Sequence, residues 1–230
     1  MKRTTLIVLM AVLMPTDASA VDGVVLINQA TIMAAGGFPY VITSPGSYRL
    51  TGNLTMTSAT TSAISVRADN VTIDLNGFSI IGPVICIGSP VTSCSPVDPT
   101  ALGFGIEDGL PPGHRSVTVM NGNVRGMGSY GIGISGVGGF VEKVHAESNG
   151  RTGIFVASGT INVSMANLNG QLGFESFSGV VSGNVAIGNG RNGFFIACPT
   201  AVIGNMASGN GSTNLSINES GCAVANNAAP

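Results

Sequence analysis

Tryptophan is absent from this 230-residue chain, aromatic side chains make up 5% of it and charged ones only 9%. So little charge cannot keep a surface in solution by itself. The outward positions must therefore be Gly, Ser, Thr and Asn, a composition that favours closely spaced β turns over helices. Nine Lys and Arg stand against eleven Asp and Glu without a basic cluster, which argues against nucleic acid or an anionic membrane as a partner. Beyond Met14 no run approaches 18 uninterrupted apolar residues, so no bilayer span is expected there. There is no Cys-x-x-Cys and no cluster of His; zinc and redox-motif readings fail, and neither a metal nor a cofactor is indicated.

The first residues read as a removable leader. Lys2 and Arg3 are followed by an apolar run from Leu6 to Met14 and by the small residues Ala18, Ser19 and Ala20, the pattern of a signal peptide over 1–20 cleaved after Ala20. Its removal shifts the formal charge from −2 to −3 and leaves enough chain for one domain. The expected product is secreted, periplasmic or cell-surface. Four cysteines, Cys86, Cys94, Cys198 and Cys222, suit an oxidising compartment. Three pairings are possible; proximity favours Cys86 with Cys94 and Cys198 with Cys222, against buried free thiols.

What the chain has in plenty is Gly, 34 residues of it, and Asn. Both recur periodically. The segments beginning at Asn149-Gly150, Asn169-Gly170 and Asn189-Gly190 are 20 residues apart, and Asn210-Gly211 follows after 21. Upstream, Gly131-Ile132 precedes Gly153-Ile154 by 22, Gly105-Ile106 lies 26 earlier, and Ala63-Ile64 is a further copy before an insertion over 83–104. Short apolar segments interleave with these. Twenty residues at about 3.3 Å each make a circuit of roughly 66 Å, enough to run around a small core and return one strand higher. This predicts an all-β fold, a single-stranded right-handed parallel β-helix of about seven coils, each with at least two strands.

The repeat assigns roles. Ile132, Ile154, Phe174, Phe194 and Leu215 should stack inward, with Ala146, Ala166, Ala186 and Ala207 as a small-residue register. Asn149, Asn169, Asn189 and Asn210 should form an amide ladder at the turns, where Gly supplies positive φ. A short helix over Asn28 to Ala35, with Asn28 as N-cap and Gly36-Gly37 as stop, should plug the first coil. The expected divisions are the leader 1–20, cap and first coil 21–62, coils 63–221 and a tail 222–230.

The Gly-Ile-x-Val and Gly-Asn-x-Ala-x-Gly-Asn-Gly coils resemble the right-handed β-helix repeats of the pectate-lyase-like superfamily. The stretches Tyr40 to Leu50 and Asn70 to Gly77 resemble the opening of exported bacterial β-helix proteins without an assigned activity. The resemblance implies the fold over 38–220; it leaves function open, since this scaffold hosts lyases, hydrolases, esterases, epimerases and adhesins. The clustered Asp of its hydrolases and the calcium ligands of its lyases do not map onto this chain. Nor is there a His or Met cluster for copper.

Two regions remain candidates for substrate binding, while catalytic residues are not readable. In the Gly-Ile-x-Val strand the x position faces outward, giving a row of Glu107, Gly133, Phe155, Glu175, Phe195 and Ser216, with Arg151, Gln171 and Arg191 in the preceding turn. Phe155 and Phe195 flanking Glu175 could hold a sugar chain, or be covered by a loop or another subunit. The second region is the insertion with Glu107, Asp108, His114 and Arg115, either a binding loop or a disulfide-pinned loop with surface charges. His145 reads as a satisfied core histidine. The favoured function is a structural or surface-interaction solenoid without a readable catalytic site; the alternative is a carbohydrate-binding or carbohydrate-active, polysaccharide lyase-like protein, and the candidate partners are a polysaccharide or a second copy of the chain.

Overall fold

A computed structural model describes residues 23–230 apart from 97, 99, 101 and 110; the expected leader lies outside the described residues. The chain is a parallel β solenoid with three faces, one more than the minimum of two strands per coil. The first face stacks Tyr40–Ile42, Ile64–Val66, Ile106–Glu107, the starts of Ile132–Glu147, Ile154–Asn162 and Phe174–Ser182, then Phe194–Ile196 and Leu215–Ile217. The second runs over nine rungs, from Val24–Ile27 and Gly46–Leu50 to Thr200–Ile203 and Ala223–Ala225. The third extends from Leu54–Thr55 through Met165–Asn167 to Met206–Ser208. Nine rungs replace the seven coils expected, because the register of Gly-Ile pairs begins at Ala63-Ile64 and misses the two rungs before it, Val24–Ile27 and Gly46–Leu50; its last member, Leu215, leads into the last rung. Residues 222–230, set apart as a tail, add that last rung: Ala223–Ala225 pair with Ala201–Ile203, and Ala228 bridges to Met206.

Alternation within each short strand sends one set of side chains inward. Ile64, Ile106, Ile132, Ile154, Phe174 and Phe194 stack fully buried on the first face, and the two Phe rings lie 4.9 Å apart and nearly parallel. The third face offers Ile80, then Val124, then Ala146, Ala166, Ala186 and Ala207. As the third face shrinks from Ile to Ala, the first grows from Ile to Phe. The two changes do not coincide: Ile132 and Ile154 share their coils with Ala146 and Ala166, and Phe enters only with Ala186 and Ala207.

The turn before each first-face strand carries the Asn ladder. The Asn169 side-chain oxygen accepts from the backbone N–H (3.1 Å) and side-chain amide (2.9 Å) of Asn149, while its own amide donates to Ala146 O and to the Asn189 oxygen. Asn189 and Asn210 repeat the pattern. A second ladder, unforeseen from sequence, links Asn184, Asn205 and Asn227 at the bend between the second and third faces. Glycine at the first turn does a different job from the one expected. Positive φ belongs to the residue before each Asn, Ser148, Leu168, Gly188 and Gly209. The Gly after it is needed for close approach: a Cβ on Gly170 would lie 2.2 Å from the carbonyl oxygen of Gly150 on the neighbouring rung.

At the first end, helix Gln29–Ala34 begins in a capping box between Asn28 and Thr31 and buries Ile32. The insertion is a hairpin, Ile85–Gly88 with Val91–Ser95, closed by the Cys86–Cys94 disulfide. It is laid along the turns like a strap. Val84 N–H donates to Gly126 O, Cys86 Sγ lies 3.4 Å from Ser148 O, and Val91 N–H reaches Gly188 O at 3.0 Å. The Cys198–Cys222 disulfide staples the last two rungs of the second face. Among the described residues no helix is long and apolar enough to cross a membrane.

Candidate functional site

The outward row on the first face is continuous in space: Val41, Ser65, Glu107, Gly133, Phe155, Glu175, Phe195 and Ser216 are register partners on successive rungs. A cleft of about 440 Å³ opens over its upstream half, across Ser65, Glu107, Gly133 and Phe155. Its walls are Thr60, Thr61, Ser62, Arg67, Leu102, Phe104 and Tyr130. Glu175 and Phe195 lie beyond it.

Aromatic rings line the row one per coil. Phe104 stacks on Tyr130 with centroids 5.1 Å apart, Tyr130 meets Phe155 at 6.1 Å, and Phe155 meets the edge of Phe177 at 5.3 Å. Gly133 makes room for the first ring, since a Cβ there would sit 2.7 Å from an edge carbon of Phe104. Phe104 and Tyr130 escaped the alternation argument because they stand on turns, outside the strands. The signal was nevertheless present: each occupies the second position before the inward Ile, in Phe104-Gly105-Ile106 and Tyr130-Gly131-Ile132.

Opposite the rings stands an ion pair. Arg67 donates to both Glu107 carboxylate oxygens, at 3.0 and 2.8 Å, and to Val66 O. Glu107 also accepts from the Ser65 hydroxyl and from Gly109 N–H. Farther along the row, burial pushes the Glu175 carboxyl above its ordinary value. Burial also raises the Tyr130 hydroxyl, with the negative charge of Glu175 adding to it.

The other expected residues are dispersed. Arg151 and Gln171 line a separate cleft beneath the strap, beside Cys94 and Asp98, and Arg191 follows them in the same turn column. Asp108 points away from the first cleft and is 1% exposed. Its carboxylate accepts from the backbone N–H groups of Ser135, Gly136 and His114, yet burial outweighs these bonds and raises its pKa. His114 and Arg115 meet Asp69 instead, at 3.3 Å through the imidazole and 2.9 Å through the Arg115 N–H. Asp69 is held below the usual carboxylate range, first by that backbone bond. His145 is not a core residue: with Val144 and Ala146 turned inward, it faces a 230 Å³ cleft with Ser79, Asn123, Arg125 and Glu147. Its Nε2 is buried without a hydrogen-bond partner.

No protein-family model matches the chain, and no curated protein does. Among solved structures it is similar to a double mutant of a periplasmic alginate epimerase, with 12% identity over 89% of this chain and 53% of that chain at a TM-score of 0.47. It is also similar to the Dettilon tailspike protein, with 14% identity over 79% and 45% of the two chains at a TM-score of 0.35. The chain spans about half the length of these structures. Its own strand register defines the class: this is a parallel β-helix repeat protein with an aromatic-walled cleft on one face.

Proposed function

We propose that this chain is an exported glycan-binding β-helix whose ligand lies in the cleft between the Phe104, Tyr130 and Phe155 rings and the Arg67–Glu107 pair. The observation that carries the reading is the set of rings beside Thr, Ser and ion-paired groups in an open cleft. A pyranose has apolar C–H faces and a rim of hydroxyls, so it needs apolar surface and convergent polar groups together. The two disulfides support export, because such bonds persist in oxidising compartments. A passive structural solenoid leaves this combination without a role. The test is affinity electrophoresis of the purified protein through gels containing soluble polysaccharides. Phe104→Ala and Tyr130→Ala should each weaken binding about tenfold or more, as for buried aromatic anchors. Gly133→Ala should weaken it too, by displacing the Phe104 ring while the circular dichroism spectrum stays unchanged. Binding that survives both ring deletions overturns the proposal.

A further inference from the structure

Resting on the glycan reading of this cleft, we infer that its occupant is a neutral, hydroxyl-rich glycan and that polyuronates are refused. Only two of the lining side chains carry charge, Arg67 and Glu107, and they are committed to each other. The guanidinium uses three of its five N–H donors here, on the two Glu107 oxygens and on Val66 O, and its charge is neutralised by the carboxylate beside it. The carboxylate is further engaged by the Ser65 hydroxyl and Gly109 N–H. A uronate carboxylate entering here would meet a cation whose charge Glu107 already neutralises, so the water it loses is poorly repaid. Neutral hydroxyls meet no such penalty. They can exchange water for the hydroxyls of Thr60, Thr61 and Ser135 around the same walls.

The next charge along the row reinforces the selection. Glu175 stands one rung beyond Phe155 and has no ion-pair partner within 4.0 Å among the described residues. A bound uronate extending that way meets a charge of its own sign. Arg191, the cation nearest to Glu175 in sequence, stands in the turn column of Arg151 and Gln171; Arg151 itself lines the strap cleft, and its charge is felt at the Tyr130 hydroxyl. Discrimination therefore rests on like-charge exclusion and on the closed Arg67–Glu107 pair.

The experiment compares gels containing a neutral β-glucan or galactomannan with gels containing polygalacturonate or alginate, at low and high salt. The wild-type protein should be retarded by a neutral polymer independently of salt and pass the polyuronates freely. Glu107→Gln frees the Arg67 guanidinium. This variant should gain polyuronate binding at least tenfold over wild type, weakening as salt rises. Wild-type retardation by polyuronates alone overturns the inference and leaves the glycan reading standing. A Glu107→Gln protein that still ignores polyuronates overturns the inference as well, because the ion pair is then not what excludes them. Free passage through every gel overturns both.

Discussion

A carboxylate whose register neighbours are Phe155 and Phe195 destabilises the fold that holds it whenever it is ionised. Burial raises the Glu175 pKa in the folded state, so the unfolded chain loses this proton first as pH rises. Stability must then fall from about pH 4.3, the ordinary glutamate value, up through the folded pKa, and level off above it. Glu175→Gln removes the penalty. Thermal unfolding across pH 4 to 8 should show the variant matching wild type at the acid end and exceeding it increasingly toward neutrality; a constant offset would contradict the assignment. Single residues were also where the sequence was hardest to read. Glu107 and Phe155 could be placed on the outward row by alternation, but Arg67 and Thr60 to Ser62 reach the cleft only because the coil after the insertion stacks directly on the one before it. Asp108 looked like a surface charge and is instead a buried acceptor for three backbone groups.

The turns carry more of the fold's energy than their polar composition suggests. Each Asn in a ladder satisfies backbone and side-chain groups that would otherwise be buried unpaired. Asn169→Ala strips partners from the Asn149 backbone N–H and the Ala146 carbonyl, while the Asn149 amide keeps its bond to Val124 O. At on the order of 1–3 kcal/mol for each buried group left unpaired, the loss should total about 2 kcal/mol or more. It would be seen as a lower urea midpoint at unchanged m value. The Asn-Gly spacing made this ladder legible. The three-sided coil was not, because the bend between the second and third faces turns on a single residue of positive φ that need not be glycine. Asn121, Lys143 and Val163 occupy that place as well as Gly183 and Gly204. A bend without a characteristic residue type leaves two strands looking like one long one.

Across the whole molecule the inward columns change partners, Ile with Ile at the first coils, Ile with Ala in the middle and Phe with Ala at the last. The fold class could be read because the register repeats; the rung count could not, because the two rungs before Ala63-Ile64 lack that pair. The strap touches turns from Gly126 to Gly190 and thereby fixes how many rungs fit beneath it. Repeat proteins lengthen by duplicating a unit, and here the permitted place for that is set by the hairpin. A second copy of 151–170 inserted after Gly170 would raise everything above it by about 4.8 Å. It would also bring Leu168 to the position of Gly188, where even a Cβ would come within 2.9 Å of Ser89. A second copy of 171–190 inserted after Gly190 leaves every strap contact in place. The first protein should melt well below wild type and the second close to it, so that this solenoid is free to grow only beyond the reach of its own strap.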